Sequence, residues 1–184
     1  MAKTICVDPG HGMSNRVKGI FDPGAVHQEG DTKFEEATIA LHYGLALRQA
    51  LQARGASVFM TRDDATDHAP VGQRAANAKA AGCDTFISFH LNDFDDDAAN
   101  GFEVLYGSNA QKPFAEAVHK TVLAVVKLKD RQTKLRTDLA VLKFGGPAAL
   151  IELGFIANDH DRETILNPAV RHNVCQALAA MLTS

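Results

Sequence analysis

Three short apolar runs in this 184-residue chain each lead to a side chain that can bind or serve a divalent metal. Thr4-Ile5-Cys6-Val7 runs to His11, Thr85-Phe86-Ile87-Ser88-Phe89 to His90, and Ala149-Leu150-Ile151 to Glu152. Apolar runs of this length, bounded by turn residues, fit buried strands. In open α/β sheets, ligands gather outside the carboxyl ends of the strands, so three distant stretches are expected to meet at one edge. Glu36, at the start of the first long amphipathic helix, is a fourth candidate for that edge. Two imidazoles and one carboxylate suit Zn²⁺ with one position open to water, the catalytic rather than the structural pattern. The second carboxylate would then be free to move protons.

The alternation of elements sets the expected fold. Residues 3–8 form a strand broken by Pro9-Gly10-His11-Gly12, whose turn chemistry swings the backbone sharply. A long glycine-punctuated loop follows. From Glu36 to about Arg54, Ile39, Leu41, Leu45, Leu47 and Leu51 supply helical spacing, with Gly55 as a stop. Strands are expected over residues 57–61, 84–89, 101–106, 139–142 and 148–151, and helices over about 70–82, 112–126 and 168–182. Strands alternating with helices imply one α/β domain over residues 1–184, with a mostly parallel twisted sheet of about six strands covered on both faces.

Composition narrows the function classes. A net charge of −3 gives no electrostatic case for nucleic acid. The basic run Lys127, Lys129, Arg131, Lys134 and Arg136 reads as a solvated face, with contact to an anionic polymer as the alternative. Cys6, Cys83 and Cys175 form no CxxC pair and are odd in number, which argues against a disulfide framework and for a reduced compartment. The first residues lack a signal-peptide apolar region, and no stretch approaches the ~20 apolar residues that span a bilayer. The expectation is a monomer made in the cytoplasm, without membrane insertion, that acts elsewhere only after release.

The chemistry follows from the donor set. Neutral imidazole binds zinc well, and a carboxylate ligand leaves enough Lewis acidity to bring the pKa of water towards about 7. A nearby Glu can take the proton and later pass it to a leaving amine. With His11, Glu36 and His90 as ligands and Glu152 as proton carrier, the reaction class is metal-assisted hydrolysis of an amide. Motif spacing alone is weak support, because no HExxH or paired-His helix is present.

A resemblance adds to this reading. In order along the chain stand Cys6-Val7-Asp8-Pro9-Gly10-His11-Gly12, Asp22-Pro23-Gly24-Ala25, Glu36, Thr61-Arg62, Phe86-Ile87-Ser88-Phe89-His90-Leu91-Asn92 and Leu150-Ile151-Glu152-Leu153-Gly154-Phe155-Ile156-Ala157-Asn158. Together they resemble the zinc-dependent N-acetylmuramoyl-L-alanine amidases of the third amidase family. The resemblance implies cleavage of the bond between N-acetylmuramic acid and the L-alanine of the peptidoglycan stem. It implies one zinc ion on His11, Glu36 and His90, and a catalytic Glu152. Glu36 is preferred to Glu35 because the family's apolar pattern after its ligand fits Ile39, Leu41 and Leu45 only when counted from Glu36. The chain also resembles single-domain phage endolysins.

Several positions carry smaller expectations. Asp8 and Asn92 are candidates to orient the ligands. Arg62, Arg74 and Asn77 match family positions and read as structural hydrogen-bonding groups. His27 and Glu29 in the long loop are candidate substrate contacts, with no role the preferred reading. His42, His119 and His172 on helices, His68 before Pro70 and His160 in a loop read as surface or core filler. Only residues 91–100 separate the second His from the next strand, so the resemblance suggests an open site with no inserted inhibitory helix. The rivals are a zinc carboxypeptidase or small-molecule amidohydrolase, and a non-catalytic wall-binding module.

Overall fold

The protein is described by a computed structural model covering residues 3–94 and 98–184. The elements, in chain order, begin with β1 (Thr4–Pro9), β2 (Gly12–Met13), β3 (Phe21–Asp22), β4 (Val26–Glu29), β5 (Thr32–Glu35) and α1 (Glu36–Gln52). They continue with β6 (Ser57–Met60), α2 (Val71–Ala80), β7 (Thr85–Asn92), β8 (Phe102–Tyr106), α3 (Lys112–Val126) and β9 (Asp130–Leu135). A short 3₁₀ helix (Ala140–Phe144) precedes β10 (Ala148–Phe155), α4 (Asp159–Leu166) and α5 (Pro168–Thr183).

Six strands form the central sheet in the order β6-β1-β7-β10-β8-β9. β6, β1, β7 and β10 run parallel, β8 lies antiparallel to β10, and β9 runs parallel to β8. The sheet is the mostly parallel one expected, with helices on both faces. Side chains alternate between faces with a period of two, and the alternation separates two cores. Ile5, Val7, Ile87, Phe89, Ile151 and Leu153 point to the face covered by α1, α3 and α5. Cys6, Phe86, Ala148 and Leu150 point to the other face, where α2 and the 3₁₀ helix cover only the lower part.

That second face changes character along the strands, and this change makes the site. Continuing in steps of two, Cys6 leads to Asp8, Phe86 to Ser88 and His90, and Leu150 to Glu152. Beyond the edge of the small core, the same face carries a row of polar side chains. Register places His90 beside Glu152, and Glu152 beside Glu103 of β8.

Four expectations need correction. Residues 139–142 are not a strand: the 3₁₀ helix there buries Val141, Leu142 and Phe144 under the sheet and ends at Gly145, whose φ is +89°. The basic run contains edge strand β9, whose polar residues leave it without an apolar signature. His160 lies in α4 rather than a loop, because Asn158 caps that polar helix by accepting from the Asp161 N–H at 3.1 Å. The loop after His11 contains two small antiparallel pairs, β2-β3 and β4-β5. Within the 91–100 segment, Asp95, Asp96 and Asp97 lie outside the described residues. No described helix is long and apolar enough to cross a membrane.

Candidate metal centre

His11, Glu36 and His90 come from the turn after β1, the first residue of α1 and β7, and their donor atoms lie within 4.8 Å of one another. The Glu36 carboxylate sits between the two rings. Its Oε2 is 3.1 Å from His11 Nε2, and its Oε1 is 2.8 Å from His90 Nδ1. The rings meet edge to face with centroids 4.9 Å apart. Backbone N–H groups of Ala25 and Leu91 donate to the same carboxylate at 2.8 and 2.9 Å. Glu35, by contrast, pairs with Lys33 at 2.6 Å on the surface side.

Local backbone chemistry makes room for this cluster. His11 itself has φ +59°, a left-handed conformation that turns its ring back across the sheet edge. A Cβ on Gly10 would stand 2.3 Å from the His90 ring. A Cβ on Gly24, where φ is +69°, would stand 2.5 Å from Glu36 Oε2 and 2.7 Å from His11 Cδ2. Both positions therefore need glycine.

Asp22 supplies the outer support for His11. Its Oδ2 lies 3.1 Å from His11 Nδ1, which leaves Nε2 facing Glu36. Such a carboxylate fixes ring orientation and tautomer in metal sites. Burial works against the charged form of Asp22. The Asn15 amide, the Gly24 N–H and His11 outweigh it and pull the pKa down to about 2. Burial likewise penalises charged Glu36, yet the two histidines hold its carboxyl far below the usual range. For His11, burial favours the neutral ring, but Glu36 and Asp22 draw the pKa upward. The Asp22-Pro23-Gly24-Ala25 block is part of the resemblance, but nothing in the sequence alone assigns Asp22 to the His11 ring.

Beneath the cluster lies a buried polar base. Asp8 accepts from Arg74 at 2.8 Å, Ser88 at 2.6 Å and Thr61 at 2.5 Å. Burial opposes its charge, but Arg74 and the two hydroxyls keep its pKa below normal. Arg74 also donates to the carbonyls of Pro9 and His11, and Arg62 to those of Pro9, Gly10 and Ala37. Two arginines thus hold the turn that presents His11, while Asp8 and Asn92, the candidates to orient the ligands, make no hydrogen bond to either ring: Asp8 is taken by Arg74, Ser88 and Thr61, and Asn92 Nδ2 has no partner among the described residues. Asn77 is exposed on α2. His27 stacks on Phe34 and Glu29 accepts from Arg162, so neither lines the cavity at the cluster.

Glu152 stands beside this cluster with different electrostatics. Its Oε2 is buried and has no hydrogen-bond partner among the described residues. Burial raises its pKa well above the usual carboxylate value, and the negative charges of Glu36 and Glu103 add to the rise. One carboxylate is thus held ionised between two imidazoles and another is left disposed to carry a proton, a separation that assigns different roles to neighbouring acids. Glu152 borders a cavity of about 430 Å³ together with His11 and His90.

The donor set fits a divalent ion. Glu36 is buried with no lysine or arginine counter-charge among its recorded ion pairs, and two imidazole nitrogens converge on it. Three such ligands leave room for a substrate or water. The other described acidic group, Asp63, Asp64 and Asp67, is a turn in which Asp64 and Asp67 accept backbone N–H groups.

Comparison with known proteins assigns the family and the fold. The Amidase_3 family, described as N-acetylmuramoyl-L-alanine amidase, matches residues 5–184. The chain belongs to this amidase family. It is 31% identical over 176 residues to a probable cell wall amidase, LytH, of Staphylococcus saprophyticus, covering 96% of this chain and 56% of that protein. The chain thus spans about half the length of the curated relatives it matches. Among solved structures, the catalytic domain of the amidase CwlV from Bacillus (Paenibacillus) polymyxa is similar with a TM-score of 0.87 and 28% identity, covering 98% of this chain and 96% of that one. An N-acetylmuramoyl-L-alanine amidase from Clostridium difficile 630 gives a TM-score of 0.86 and 26% identity, with 98% and 95% covered. The CD27L endolysin catalytic domain, at 20% identity and a TM-score of 0.74, shares the fold. The amidase fold therefore extends through the whole described chain.

Proposed function

We propose that this amidase hydrolyses peptidoglycan at the amide between N-acetylmuramic acid and the first L-alanine of the stem peptide, using one zinc ion. The observation that carries the reading is the convergence of the His11, Glu36 and His90 donors beside a cavity that His11 and His90 line together with Glu152, whose buried oxygen is unpaired among the described residues. The family description and the similarity to cell wall amidases support the bond and the polymer.

His11, Glu36 and His90 would hold the ion, which would supply Lewis acidity towards the scissile carbonyl and water. Glu152 accepts a proton from the attacking water and delivers it to the departing alanine nitrogen, as base and then acid. Its unpaired oxygen is free for this exchange, and its raised pKa favours retaining the proton between the two steps. Asp22 and the Arg62–Arg74 pair keep His11 in place, and the Gly10 and Gly24 backbones let the rings and carboxylate approach. Bacteriolysis is the proposed consequence, in the setting of a phage-type lysis enzyme that reaches the wall after release.

Purified wall sacculi and permeabilised cells test this. Loss of turbidity, with mass analysis finding glycan strands freed of stem peptides, is the expected outcome. Stems still attached to the sugar would refute the bond, and release of a terminal amino acid alone would indicate a carboxypeptidase.

A further inference from the structure

The cavity beside Glu152 extends away from the metal cluster between Val71, Leu105, Leu139, Val141 and Leu150, and reaches Arg136 and Asp138 at its rim. Its walls are apolar near the sheet and charged at the mouth. The cationic groups around it differ in how firmly they are engaged. Arg74 is fixed on buried Asp8, and Arg131 and Lys134 converge on buried Glu103. Arg16 lies 3.3 Å from Asp22, a carboxylate already held by Asn15, Gly24 and His11.

Arg136 is engaged differently. Its Nε and Nη2 grip Asp138 in a two-pronged fork at 2.9 and 2.8 Å, and both side chains are about half exposed or more, at 48% and 63%. A guanidinium fork matches a carboxylate plane, and an exposed pair of this kind is held weakly. Arg136 is thus already shaped around a carboxylate whose replacement by another would cost little. Arg136 and Glu152 line the same cavity, so the fork borders the space beside the proposed reacting centre.

We propose that Arg136 docks a carboxylate carried by the peptide arm of the substrate, and that Asp138 is an internal stand-in occupying the guanidinium between substrates. The inference rests on the amidase reading for the identity of the peptide. With the scissile amide at Glu152, the residue after the first alanine lies about two residue lengths away, roughly 7 Å. In peptidoglycan that residue is acidic, linked through its side chain, with its α-carboxyl either free or amidated. Arg136 therefore selects stems with the free α-carboxylate over amidated ones, and the apolar wall receives the small alanine side chain. The basic run visible in the sequence divides accordingly: Arg131 and Lys134 brace Glu103, and Arg136 reads the substrate.

The test uses the full chain and two soluble probes in which the glutamate side-chain carboxyl is blocked as an amide, as it is in the polymer: N-acetylmuramoyl-L-alanyl-D-glutamate γ-methylamide and the α-amide of that compound. Cleavage of both is followed with the unmodified protein, and affinity is measured by calorimetry with Glu152→Gln, so that binding is read without turnover. We expect about tenfold tighter binding of the free carboxylate, the lower end for an ionic hydrogen-bonded contact at an exposed site. Adding Arg136→Gln should bring the two affinities together, Arg136→Lys should restore part of the difference, and Asp138→Asn should widen it. Thermal melts identify any variant that fails to fold, and the Lys and Asn variants then carry the comparison. Equal affinities in the parent, or a preference that survives Arg136→Gln, overturn the proposal. If neither probe is cut while the affinity difference still follows Arg136, the amidase reading falls and the carboxylate site stands. If both are cut and bound alike, the reverse holds.

Discussion

The Asp8 carboxylate and the Arg74 guanidinium meet at 2.8 Å where neither side chain has more than 2% of its surface exposed. Each would be costly to bury alone, and removing one partner from a buried pair typically costs about 3–5 kcal/mol. Asp8→Ala should therefore lower unfolding free energy by that order in a denaturant titration. It should also loosen the His11 turn, because Arg74 holds the Pro9 and His11 carbonyls from the same guanidinium. A loss below about 1 kcal/mol would show that the pair is dispensable.

The same pair sets an acid limit on stability. The folded-state pKa of Asp8 is depressed, so the folded protein binds its proton more weakly than the unfolded chain. Its stabilisation is complete above the unfolded value of about 3.9 and is lost as pH falls through the lower folded value. Melting temperature should drop steeply below about pH 4, and Asp8→Asn should flatten that part of the curve. Parallel curves for the two proteins would remove Asp8 from the acid transition.

Neighbouring glutamates provide the next contrast. Glu36 is buried between two rings, whereas Glu35 pairs with Lys33 towards solvent. Glu36→Gln should lose most bound zinc after dialysis, as should His11→Ala and His90→Ala, while Glu35→Gln should retain it. Elemental analysis reads all four, and full occupancy in the first three would reject the ligand set.

Gly24 gives a backbone test of the same centre. Gly24→Ala would place a methyl 2.5 Å from Glu36 Oε2 at a φ of +69°, so the carboxylate or the turn must move. Zinc affinity should fall by about 10- to 100-fold, the scale for disturbing the support of a metal ligand. Competition with a chelator measures it. Unchanged affinity would mean that the turn yields instead of Glu36.

Much of this arrangement was legible in the sequence because period-two strands and turn residues act locally. The runs before His11, His90 and Glu152 specify strands by their own apolar content, and Gly10 and Gly24 announce turns. β9 and α4 were not legible, because Arg131 and Thr133 are half-buried through partners across the sheet, and α4 depends on a cap rather than a strong apolar stripe. Residues 140–144 carry the apolar content of a strand, yet two glycines follow and α2 leaves a gap on the sheet face that a helical turn fills. Asp22's hold on His11 depends on the folding of the β2-β3 loop, which spacing alone does not encode.

Glu152 can be separated from the ligands by a conservative change. Replacing its carboxylate by an amide keeps shape and burial but removes the capacity to take and return a proton. Because Glu152 is not among the three converging donors, Glu152→Gln should keep zinc on His11, Glu36 and His90. Loss of general acid and base action typically costs about 10²- to 10⁴-fold, so hydrolysis should fall to about 1% or less. Relief of burial and of repulsion from Glu36 and Glu103 should make the variant at least as stable as the parent near neutral pH. The three readouts, metal content, turnover and melting temperature, are measured on the same preparation. Loss of zinc together with activity would make Glu152 a ligand, and retained zinc with undiminished turnover would remove it from proton transfer.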